Sequence, residues 1–119
     1  MTPTVFSTPV EASPPIGIGP LWLYTDNVAL VLTYNSGTVS WVCDVSGSPQ
    51  CDSINATCTL TKNSNPAQSH SSTAYGRWWY YSGSYAGGPG TYTLSVDAVI
   101  TSTTGGTETI HREITRTFQ

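Results

Sequence analysis

Charge is scarce in this chain. Only 9% of its 119 residues are Asp, Glu, Lys or Arg, against roughly 25% in typical soluble domains. The Lys and Arg residues are Lys62, Arg77, Arg112 and Arg116, and the net charge is -3. Nucleic-acid binding needs clustered positive charge to displace counterions from phosphates, so this composition argues against that class. No polybasic or amphipathic helical stretch points to a membrane surface. No apolar run approaches the roughly 20 residues that span a bilayer as a helix. The opening MTPTVFSTPVEASPPIGIGPLW lacks a basic region and an unbroken apolar region, so it does not read as a secretory signal.

Catalytic patterns are missing too. Neither His70 nor His111 has a neighbouring Ser, Cys or carboxylate in a recognised motif. Asp97 and Glu113 offer two carboxylates, but cross-strand positions on a regular sheet lack the enclosing cleft that glycoside hydrolysis uses. The expectation is a non-enzyme with no cofactor and no catalytic or metal residue. Ser and Thr fill the space that charge leaves. Such a surface suits an extracellular setting, yet the chain shows no export signal. A virion protein, made in the cytosol and exposed after lysis, reconciles the two.

Residues 1 to 20 carry Pro3, Pro9, Pro14, Pro15 and Pro20, with Glu11 the only charge. Proline fixes φ and removes a hydrogen-bond donor, so an extended arm without helix is expected. Such an arm must lie against its own domain or a neighbouring subunit, and Pro14, Pro15, Ile16 and Ile18 are its candidate contacts. Residues 21 to 119 form the second region, and there the hydrophobic period becomes two. Val28, Leu30, Leu32 and Tyr34 share one face of VALVLTY, and Val39, Trp41 and Cys43 align in TVSWVC. Asn35-Ser36-Gly37 is a turn signal between them. ATCTLT is a weaker strand candidate, and KNSNPAQSHSS reads as a loop by composition. RWWYY is a short aromatic strand. TYTLSVDAVIT gives the clearest alternation, with Tyr92, Leu94, Val96, Ala98 and Ile100 on one face. In TETIHREITRTF the spacing of Ile110, Ile114 and Phe118 also fits a helix, but β-branched content and the preceding Gly105-Gly106 favour a strand.

A three-residue loop, Thr104 to Gly106, would pair Ile100 with Ile110, Val96 with Ile114 and Tyr92 with Phe118. The same register sets Arg112 and Arg116 on the apolar face, as candidates to meet a partner or snorkel past a sheet edge. It also sets Asp97 opposite Glu113, a like-charge pair that costs stability unless a cation sits nearby.

About seven short strands with no convincing helix predict an all-β fold, a single antiparallel β-sandwich carrying a Pro-rich arm. PGTYTLSVDAVIT resembles the penultimate strand of immunoglobulin-like and PKD-like domains, and TVSWVC resembles their strand C. This resemblance implies an immunoglobulin-like sandwich and, by itself, no particular function.

Cys43, Cys51 and Cys58 permit three alternative single bridges. Cys43 with Cys58 is the favoured disulfide candidate, beside the alternative of free buried thiols. A zinc site adding His70 would have enough ligands but lacks the paired C-x2-C that presents thiolates to the metal. Asn55-Ala56-Thr57 matches a glycosylation acceptor, a triplet that arises by chance in Thr-rich chains.

The stretch GRWWYYSGSYAGGPGTY concentrates the aromatics. On a strand, Arg77, Trp79 and Tyr81 face one way, and Trp78 and Tyr80 the other. Both tryptophans cannot hide under one sheet face. Trp78, Trp79, Tyr81 and Tyr85 are therefore the candidate binding residues. The expected function is non-enzymatic: a bacteriophage capsid decoration protein or similar virion accessory. It would bind a larger protein assembly in many copies through its arm and an aromatic or apolar face. The alternative is a secreted carbohydrate-binding or adhesin module using the same rings on a glycan. The aromatic run holds no carboxylate or amide for sugar hydroxyls, which weighs against the glycan.

Overall fold

In the computed structural model, residues 10–11 and 23–119 are described. They form an all-β fold of eight strands: β1 (Val10–Glu11), β2 (Thr25–Asn35), β3 (Thr38–Gly47), β4 (Cys51–Lys62), β5 (Asn65–Tyr75), β6 (Trp78–Tyr85), β7 (Gly90–Ser102) and β8 (Thr107–Phe118). Two antiparallel sheets, ordered β1-β2-β3-β6 and β5-β4-β7-β8, pack as a β-sandwich. No helix occurs among the described residues. Of the expected arm, only the Val10–Glu11 backbone is described, paired with Leu30 and Ala29 of β2. Pro14, Pro15, Ile16 and Ile18 lie outside the described residues.

The alternation of side chains builds the core directly. Val28, Leu30 and Leu32 of β2, with Val39, Trp41, Cys43 and Val45 of β3, face Ile54, Ala56, Cys58 and Leu60 of β4. Tyr92 to Ile100 of β7 complete the opposite wall, joined by Ile110, Ile114 and Phe118 of β8. Each large aliphatic buried here contributes about 1.5–3 kcal/mol relative to exposure. The β2–β3 hairpin closes through Ser36 and Gly37, both at positive φ (52° and 83°). That is the two-residue geometry whose twist matches the flanking strands. Gly83 serves packing instead: a Cβ there would stand 2.6 Å from the Trp41 indole.

Three sequence expectations need correction. First, the polar segment read as a loop at KNSNPAQSHSS is mostly strand β5, entered by a tight turn at Asn63 and Ser64, both at positive φ. Its backbone hydrogen-bonds to β4, and as an outer strand it needs no apolar stripe of its own. Pro66 sits beside the register shift at Leu60/Thr61, where a missing ladder donor is tolerated. Second, TVSWVC does not occupy the place of strand C. It forms β3, paired by hairpin with β2 in the same sheet, and the crossing between sheets comes one strand later, from β3 to β4.

Third, the last hairpin has the expected kind of loop one residue earlier. Ser102 N donates to Gly106 O at 2.7 Å, enclosing Thr103, Thr104 and Gly105, with Gly105 at φ +92°. The Ser102 hydroxyl anchors this turn by accepting from the amides of Thr104 and Gly106. Ala98 therefore pairs with Ile110 and Leu94 with Ile114, a shift of two residues from the expected register. A two-residue shift conserves the face of every side chain, so the predicted core face survives. It also moves His111, rather than Glu113, opposite Asp97.

Candidate functional site

Two exposed aromatics share the outward face of β6 in the β1-β2-β3-β6 sheet, while a third, Tyr75, stands alone at the end of β5 in the other sheet. Trp79 is buried in the core at 2% exposure, whereas Trp78 and Tyr80 on the opposite face are 64% and 62% exposed. Trp79 is fixed inward because its indole N–H reaches β5, donating to the Ser72 hydroxyl at 2.9 Å. Tyr81 also points inward and half-buried, stacked on His70 with ring centroids 3.6 Å apart. Tyr85 packs against the core beside Tyr92. Of the four aromatic candidates, only Trp78 is thus open to a partner. Tyr80, which the sequence reading placed on the same face without choosing it, is the second ring.

The register surrounds these rings with polar groups from β3. Ser46 pairs with Trp78, and Asp44 pairs with Tyr80. The Arg77 guanidinium lies 5.2 Å from the Trp78 ring centroid, a cation–π contact. Partial burial pushes the Asp44 carboxyl above its usual range. The carboxylate absent from the aromatic run in sequence is therefore supplied by the neighbouring strand. Val42 and Ser82 pair further along, and Val31 and Ala29 of β2 extend the face. The patch can stack on a flat apolar surface and present one acidic acceptor at its edge.

Arg112 and Arg116 sit elsewhere, on β8, an outer strand of the β5-β4-β7-β8 sheet. They share the inward register, as expected, and each curls back along the strand. Arg112 Nη1 donates to His111 O at 2.8 Å and Arg116 Nη1 to Thr115 O at 3.0 Å. Inward-register charges on an outer strand discourage pairing with another chain. They do not join the Trp78–Tyr80 patch.

Two other clusters bring polar side chains together. His111 lies exposed between Asp97 (Nδ1 to Oδ1, 2.6 Å) and Glu113 (Nε2 to Oε1, 3.2 Å). The imidazole is thus the nearby group whose protonation can offset the two carboxylates, and its bond with Asp97 raises its pKa. With both ring nitrogens occupied, it has neither a free base position nor a nucleophile beside it. An open groove of about 320 Å³ at the β5–β6 seam is lined by Trp41, Gln68, Ser69, Tyr81, Gly83 and Ser84. Its amide is already used: Trp41 Nε1 donates to Gln68 Oε1, and Gln68 Nε2 donates to Ser84 O, each at 2.9 Å. This groove is a polar seam that fastens the two sheets.

The cysteines are all buried free thiols. Cys43 and Cys58 face each other across the sandwich, flanked by the stacked rings of their ladder partners Tyr81 and His70, and the Cys58 thiol donates to His70 O at 3.6 Å. Cys51 lies apart, against Gly47, with its sulfur directed to the carbonyls of Gly76 and Ser53. The cysteines and His70 therefore do not converge as a zinc tetrad, and no cluster suited to a metal occurs among the described residues.

Compared with protein families, characterised proteins and solved structures, the chain matches none of them.

Proposed function

We propose that the chain is a non-enzymatic interaction module of immunoglobulin-like type that coats or joins a larger protein assembly, most concretely as a bacteriophage capsid decoration protein. The observation that carries this reading is the pair of exposed rings, Trp78 and Tyr80, side by side on the same face of β6. Each ring can bury about 150–250 Å², and Trp, Tyr and Arg dominate the energetics of protein interfaces. Placement on a rigid strand rather than a loop reduces the entropy lost on docking. Many weak copies on a lattice would then add by avidity.

Strand order supports the immunoglobulin-like part of the proposal. In constant-type domains strands A, B, E and D oppose C, F and G. Here β2, β3 and β6 take the places of A, B and E, and β4, β7 and β8 those of C, F and G. β5 stands for D, transferred to the opposite sheet. At the start of β7 the Tyr92 hydroxyl donates to Gly88 O at 2.7 Å, across the β6–β7 connection. This matches the tyrosine corner at the E–F connection of such domains.

Co-sedimentation with purified virion shells tests the proposal. Deleting residues 1–20, or replacing Trp78 and Tyr80 together by Ser, should abolish or sharply reduce occupancy while leaving the domain folded. Wild-type occupancy by both variants would refute it. A second reading, a carbohydrate-binding module, is favoured by one specific feature: Asp44 in register with Tyr80 places an acceptor for sugar hydroxyls beside the stacking rings. Saccharide binding by the isolated protein on a glycan array, lost in Trp78→Ser, would select that reading instead.

A further inference from the structure

The strongest unassigned feature lies in the core, where strands from opposing sheets each bring a thiol to the same point. Cys43 is central on β3, paired with Leu30 on one side and Tyr81 on the other. Cys58 is central on β4, between His70 and Val96. Both are fully buried, and their ladder partners Tyr81 and His70 stack across the two sheets with ring centroids 3.6 Å apart.

Geometry disposes of the other two pairings. Cys51 and Cys58 are seven positions apart on one strand, which at about 3.3 Å per residue separates them by roughly 20 Å. Cys51 instead abuts Gly47, four residues along β3 from Cys43, or roughly 13 Å away. A disulfide needs Cα atoms within about 7 Å. Of the three bridges that the sequence permits, only Cys43–Cys58 joins residues that face each other across the two sheets.

We propose that Cys43 and Cys58 are a covalent modification site, forming an inter-sheet disulfide when the chain meets a disulfide oxidant, with Cys51 remaining a free thiol. The chemistry is two successive exchanges with a small-molecule disulfide such as oxidised glutathione. The Cys58 thiolate attacks one sulfur of the oxidant, forms a mixed disulfide and releases one reduced thiol. The Cys43 thiolate then attacks the Cys58 sulfur and displaces the second. Two protein thiols lose two electrons and two protons, and one oxidant disulfide becomes two thiols. Because both sulfurs are buried, exchange proceeds during folding or through transient opening of the sandwich. The bond would close a loop of about 15 residues and restrict the unfolded chain, raising the thermal midpoint by on the order of 10 °C.

The full chain is equilibrated across a series of reduced-to-oxidised glutathione ratios, quenched by alkylation in denaturant, and cut before aspartate. Asp26, Asp44 and Asp52 place the three cysteines in separate fragments, 26–43, 44–51 and 52–96. The expected result is a mass loss of about 2 Da for the two hydrogens removed. Fragments 26–43 and 52–96 should be linked, Cys51 alkylated, and the midpoint raised. Cys51→Ser should oxidise identically, and Cys43→Ala should lose both the link and the shift. Three alkylated cysteines at every ratio, a link containing fragment 44–51, or bonds only between chains would each overturn the proposal.

Discussion

Glu108 provides the sharpest test of how this sandwich is closed. It lies in the inward register of β8, where an apolar residue would ordinarily stand, opposite Ile100. Its carboxylate accepts three hydrogen bonds from the chain entering β2: Leu23 N at 2.7 Å, Tyr24 N at 3.1 Å and the Thr25 hydroxyl at 2.7 Å. These bonds tie the first residues of one sheet to the outer strand of the other, across the side where no β-ladder joins them. Hydrogen bonds to an ionised group contribute about 1.5–3 kcal/mol each when well shielded. Leu23 is largely exposed, so its share falls below that range. In Glu108→Gln the amide oxygen can serve Tyr24 and Thr25, but the NH2 group faces the Leu23 donor, a loss of about 1–2 kcal/mol. Glu108→Ala removes all three acceptor contacts and should cost about 2–3 kcal/mol. For a domain of this size the Gln variant then melts about 5–10 °C lower. Urea unfolding with an unchanged m-value would read the energy, and hydrogen exchange would locate it at the Leu23 and Tyr24 amides. If Glu108→Ala costs less than about 0.5 kcal/mol, a typical surface value, and those amides exchange at the wild-type rate, the clamp is not what closes this side.

Two further outcomes follow from particular contacts. Tyr92→Phe keeps the buried ring but leaves Gly88 O without its donor, so it should cost about 1 kcal/mol, and the 86–89 connection should lose exchange protection relative to β7. His111 should titrate by NMR above its ordinary value, and Asp97→Asn should bring the midpoint back toward it. Because the folded pKa is the higher one, the stabilising contribution is complete below the unfolded value of about 6.5 and is lost as pH rises through the folded one. The cluster is open to water, so that contribution is small and should shrink further with salt.

Period-two alternation alone determined much of this protein. The inward faces of β2, β3 and β7 follow directly from VALVLTY, TVSWVC and TYTLSVDAVIT, because a half-buried strand must place its apolar side chains on one side. The same rule required that Trp78 and Trp79 part company. Sequence could not determine which one is buried, since parity has no sign until a neighbour exists. Ser72 on β5 supplies that neighbour for the Trp79 indole, and β5 was invisible because an outer strand needs only backbone partners. The pairing of Asp44 with Tyr80 likewise depends on cross-strand register, which joins residues more than thirty positions apart. Register in the last hairpin was legible only modulo two: hydrophobic patterning fixed the face, and the Ser102 hydroxyl with left-handed Gly105 chose the step. The cysteines show the same division. Spacing left three pairings open, and only the stacking of one sheet on the other set Cys43 facing Cys58 and left Cys51 roughly 13 Å along the strand from Cys43.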